Sequence, residues 1–98
     1  MPAAVATVVS VPSMNEWLMR AVVQAAAFFE LVSDDTLDPD VAVKELESIT
    51  FLLNHLRPEE KQELVAFVQR EAESARLPEY REFLLAFPEA TGLLEQDD

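Results

Sequence analysis

Apolar residues recur along this chain at steps of three and four, the period of an α-helix rather than a strand. Read with start and stop signals, the pattern predicts four helices, at approximately 14–32, 39–56, 58–75 and 78–87. Ser13-Met14-Asn15-Glu16 matches a capping box, in which the Ser hydroxyl and the Glu carboxylate each accept from an otherwise unpaired amide. Asp38-Pro39 supplies an acidic cap followed by a Pro at the first helical position, where a missing N–H costs nothing. Pro58-Glu59-Glu60 sets acids on a first turn, favourable to the helix dipole, but its cap would be Arg57, a poor capping residue. Pro78-Glu79 opens the last helix, and Pro88 with Gly92 brackets a final turn.

The links between these segments are short, which sets consecutive helices side by side. The expected fold is all-α, a compact bundle of about four helices forming a single domain over 13–94. Residues 1–12 form an extended or disordered N-terminal extension, rich in Val and Thr between Ala3 and Val11, and 95–98 an acidic tail.

Projection at about 100° per position separates the faces of each helix. In the first, Glu16, Arg20, Gln24 and Glu30 form the polar stripe, and the remaining arc, roughly two-thirds of the circumference, is apolar. That is wider than one core-facing side requires. Either this helix is central in the bundle, or it also carries an intermolecular surface. In the second case Trp17, Val22, Ala26 and Phe29 form a homodimer interface.

In the second helix Ala42, Leu46, Ile49, Leu53 and Leu56 face the core, with Thr50 and Leu52 at its edges. Phe51 falls on the opposite side, beside Lys44, Glu47, Ser48 and His55. A Phe on a polar face is either an aromatic anchor for a partner or a side chain covered by the N-terminal segment or the fourth helix. The third helix turns Leu64, Val65, Phe67, Val68, Ala72 and Ala75 inward, with Glu71 at the boundary and its carboxylate reaching water. The fourth carries Tyr80, Phe83, Leu84 and Phe87 on one stripe, as the lid of the core or as half of a groove for a partner helix.

Composition narrows the function classes. The 98 residues suit one domain with a modest core, and half of them are hydrophobic, which separates this charged chain from a disordered one. The net charge is −12, from 19 acidic and 7 basic residues. Nucleic acid and anionic membrane would be repelled by such a surface. With no Cys, thiolate metal sites and thiol nucleophiles drop out, and with one Gly there is no phosphate-cradling loop. The most apolar stretch, Trp17 to Val32, is too short to span a bilayer and is interrupted by Arg20 and Gln24. Residues 1–12 lack the basic start of a secretory signal, so a cytoplasmic location is expected.

Candidate chemistry is sparse. His55 is the single His, on a polar face, with no spacing that would pair it with a Ser. A di-iron bundle needs two Glu-x-x-His motifs, and position 52, three before His55, is Leu. The run Asp34 to Glu45 faintly resembles a calcium loop, but its sixth position, where Gly is needed for a sharp turn, is Pro39. No catalytic residue, metal or cofactor is expected. Asp40 instead suits an ion pair with Lys44, one turn on.

The charge is unevenly placed. Residues 30–47 hold seven acids (Glu30, Asp34, Asp35, Asp38, Asp40, Glu45 and Glu47) against one base. This patch, with Phe51, is the expected binding surface for another protein with a basic face. The expected function is a non-catalytic acidic helical interaction module, in its sharpest form a small inhibitor or immunity-type protein. The alternative is a self-associating structural or regulatory subunit that uses the apolar face of the first helix.

Overall fold

Two helix starts are secured by a side-chain carboxylate that accepts from the backbone. In the computed structural model, which describes residues 14–94, the elements are α1 (Met14–Leu31), α2 (Pro39–Leu53), α3 (Pro58–Ser74) and α4 (Pro78–Ala90). The described residues contain no strand, and the chain is an all-α bundle. Ser13, residues 1–12 and the tail 95–98 lie outside the described residues, so the capping-box, N-terminal and tail expectations go with them.

Asp38 caps α2 as its sequence suggests: its Oδ1 accepts from the Asp40 amide at 2.8 Å. The start of α3 is secured differently. Glu60 reaches back, one carboxylate oxygen accepting from the Arg57 amide at 2.9 Å and the other from the Arg57 guanidinium at 3.4 Å. The weak cap is thus served from inside the helix. Those bonds, the backbone one first, hold the Glu60 carboxyl below its ordinary pKa.

Two ends differ from expectation. α2 stops at Leu53 rather than near Leu56, since His55 and Leu56 bond three residues back, to Leu52 and Leu53. Pro58 holds Arg57 extended, so the chain must leave the helix before it. α4 runs three residues past Phe87, through Pro88 to Ala90. Pro88 lacks one donor, but the residues after it close the helix. Gly92 donates to Glu89 and Leu93 to Pro88, the paired bonds of a Schellman motif. The motif needs a left-handed residue, and Gly92, at φ +77°, is the chain's single glycine. Pro88 and Leu93 are both buried, which brings apolar contact to the same turn.

α1 packs chiefly on α2 and α3 on α4, and α1 also reaches both α3 and α4. It is therefore in contact with all the other helices, yet its Trp17, Leu18, Phe28 and Leu31 stay exposed, so the bundle buries only part of its apolar arc. The core joins Val23 and Ala26 of α1 to Leu64, Phe67, Val68 and Ala72 of α3 and to Leu84 and Phe87 of α4. Leu46, Ile49, Leu53 and Leu56 pack against it from α2 and the turn that follows, and Tyr80 and Phe83 from α4. For α2, α3 and α4 these are the inward faces that periodicity assigned; on α1 it left the buried side open. Each fully buried large side chain, such as Phe67 or Leu84, contributes about 1.5–3 kcal/mol. Among the described residues no helix is long and apolar enough to cross a membrane.

Candidate functional site

Phe51 is the most conspicuous side chain outside the core. It is 65% exposed. Its ring packs at a steep angle against that of His55, centroids 4.7 Å apart, and the His55 Nδ1 lies 2.9 Å from the Phe51 carbonyl oxygen. α4 does not cover it. Phe51 instead borders a shallow groove whose other walls are Glu30 of α1, Val43, Leu46, Glu47 and Thr50 of α2, and Ala90 of α4. Beside it a deeper cleft of about 260 Å³ runs between α1, α2 and α4, sharing Glu30, Leu46, Thr50 and Ala90 and continuing to Ile49, Phe83 and Phe87. The rim is acidic and the floor apolar.

Helix register explains this grouping. Asp40, Val43, Glu47 and Phe51 follow at steps of three and four, so they share one stripe of α2. Glu30, from the last turn of α1, reaches the same groove because α1 and α2 pack together.

Three of the predicted residues, Glu30, Glu47 and Phe51, are thus brought to one place. The others are spread out. Asp34 and Asp35 lie in the α1–α2 link, where Ser33 and Thr36 join their hydroxyls at 3.0 Å. Asp38 is engaged as the α2 cap, and Glu45 lies on the far flank of α2, about 200° of helix turn from Glu47. All seven acids are exposed. None forms an ion pair among the described residues, so the pair expected between Asp40 and Lys44 is not made. Among the described residues no three His, Asp or Glu side chains converge as a metal site would require.

Val43, exposed on the Phe51 stripe, was legible as a groove residue from its spacing alone. Ala90 was not, because its place depends on how α4 crosses α2.

The homodimer surface drawn from sequence needs correction. Ala26 is 0% exposed and belongs to the core. Val22 is half-buried and lines a second cleft, of about 220 Å³, with Met19, Leu53, Leu56 and Leu64. Phe29 is also half-buried, its ring edge-on to Phe28 at 5.4 Å. Trp17 lies about 140° around the helix from Val22, so the four residues never shared a face.

Glu71 and Arg20, each read from sequence as a solvated polar residue, meet each other. Arg20 donates to Glu71 through Nε at 3.3 Å and Nη2 at 2.7 Å, and its guanidinium lies over the rings of Trp17 and Phe67, at 5.0 and 5.2 Å. No family model, no curated protein and no solved structure matches the chain.

Proposed function

We propose that the chain is a non-catalytic acidic interaction module that holds a partner protein in the groove around Phe51. The partner presents a basic side chain to Glu30 and Glu47 and an apolar one to Phe51 and Val43. One observation carries this reading: a Phe left 65% exposed on a groove whose rim is carboxylate and whose floor is apolar. An exposed aromatic in such a setting suits an interface anchor, with charges at the rim steering the approach. Asp34, Asp35, Asp38, Asp40 and Glu45 extend the negative field without touching the anchor. An inhibitor that neutralises a basic protein, in the manner of an immunity protein, is the sharpest form of this reading. A reducing, cytoplasmic setting suits a chain with no Cys.

The test is affinity capture from native lysate with the unaltered chain, Phe51→Ala and the double change Glu30→Lys, Glu47→Lys. A protein retained by the unaltered chain, lost with Phe51→Ala and released by moderate salt supports the reading. Retention indifferent to all three changes overturns it.

A further inference from the structure

The outward face of α1 carries a second surface. Trp17, Ala21, Gln24, Phe28 and Leu31 follow at steps of four, three, four and three, the spacing of a coiled-coil seam. In most helices of a small bundle that seam faces inward. Here it faces out: Trp17 is 56% exposed, Phe28 52% and Leu31 45%, with Ala21 and Gln24 exposed between them. Leu18 widens the same face. In a chain of net charge −12 none of these five is ionised, and the charge that borders them is Arg20, whose guanidinium lies over the Trp17 ring.

We propose that a second copy of the chain covers this face, with the two α1 helices antiparallel about a two-fold axis at Gln24. The strip is complementary to itself in that arrangement. Trp17 meets Leu31 of the second copy, the small Ala21 meets the large Phe28, and Gln24 meets Gln24. Gln24 fits the axis because a primary amide both donates and accepts, so two of them satisfy each other. A single polar residue in an apolar seam also fixes register. Antiparallel packing places Asp34 and Asp35 of one copy beside the positive N-terminal end of the other α1. Trp17 is held ready by the Arg20 guanidinium on its ring, which Glu71 fixes in turn.

The area is adequate. Aromatic side chains carry about 150–250 Å² each, so the half-exposed Trp17 and Phe28 offer roughly 200 Å² per copy. With the leucines and alanines the face approaches roughly 500 Å² per copy, and a symmetric pair about 1,000 Å², where specific interfaces begin. Glu30 projects from the side of α1 away from Phe28, two positions off, so both Phe51 grooves stay open in the dimer. This surface stands apart from the proposed partner groove, and each is tested without the other.

The experiment is sedimentation of the full chain across micromolar concentrations, with emission of Trp17, the single Trp, recorded alongside. The expected result is a dimer whose Trp17 emission moves to shorter wavelength as concentration rises. Ala21→Glu and Gln24→Lys each weaken dimerisation about tenfold or more. Leu85→Glu, at an equally exposed leucine of α4, leaves it unchanged. A mixture of Ala21→Glu with Phe28→Lys restores a dimer, since those positions face each other only in the antiparallel pairing. Should Ala21→Glu fail to fold, Gln24→Lys carries the test. A chain that stays monomeric, whatever its emission, overturns the proposal, as does a dimer indifferent to both Ala21→Glu and Gln24→Lys.

Discussion

Arg20 of α1 and Glu71 of α3, 51 positions apart, are joined by two hydrogen bonds, the shorter of them 2.7 Å. Their side chains are only 25% and 21% exposed. The planar guanidinium matches the carboxylate at both oxygens, a geometry Lys cannot reproduce. The pair bridges α1 and α3 at the edge of the core, where Phe67 packs under the guanidinium.

Breaking this pair is expected to cost about 1–2 kcal/mol, between the values for exposed and buried charged bonds. Arg20→Ala and Glu71→Ala should each lower the denaturation midpoint, and the double variant should cost less than the two added together. Additive losses in urea unfolding would show that the contact contributes nothing of its own.

Tyr80 reports on the same pair through its own ionisation. Burial, and then the charge of Glu71, raise the phenol above its ordinary value of 10.0, while Arg20 acts the other way. Glu71→Gln should therefore lower the titration midpoint of Tyr80, and Arg20→Ala should raise it. As the chain has one Tyr, absorbance near the phenolate band reads it directly. The raised value also sets a sign for stability. The contribution is complete below the unfolded pKa and is lost as pH rises through the folded one, so the alkaline limb of stability should steepen above pH 10.0.

The ends of α2 and α4 are tied by Asn54, whose side-chain amide donates to the Thr50 and Thr91 carbonyls, both at 2.8 Å. Asn54→Ala leaves the Thr91 carbonyl without this donor and should cost about 1–2 kcal/mol. Gly92→Ala tests the neighbouring turn. An added Cβ meets only the Asn54 Oδ1, at 3.7 Å, so space is not the obstacle. The left-handed backbone is, and it should cost about 1–2 kcal/mol in thermal unfolding.

Phe51 and Phe67 should separate binding from folding. Phe67 is fully buried, so Phe67→Ala should destabilise by about 3–5 kcal/mol. Phe51→Ala should leave stability within about 0.5 kcal/mol, as expected for an exposed position. Calorimetry of the two variants checks the contrast. A large loss with Phe51→Ala would make Phe51 a packing residue.

The four helices, and the inward faces of α2, α3 and α4, were legible because periodicity and caps are local. Three- and four-residue spacing selects the buried stripe, and Asp38-Pro39 or a helix-terminal Gly acts within one turn. The helix ends were read less well. α2 stops early, its chain tightening to three-back bonds at His55 and Leu56, and α4 outlasts Pro88 because the Schellman turn after it supplies the closing bonds. Sequence also singled out Phe51 and the acids around it, since an aromatic on a polar face is visible in projection. It could not say that Glu30, from another helix, joins Phe51, nor that Arg20 answers Glu71 across 51 positions. The wide apolar arc of α1 was plain in the sequence. Which part of that arc the bundle buries, around Val23 and Ala26, and which it leaves open, from Trp17 to Leu31, was settled only by where the other helices pack. Spacing along a chain fixes what shares a face. Contact between faces depends on the packing of whole helices, and only the tertiary structure decides it.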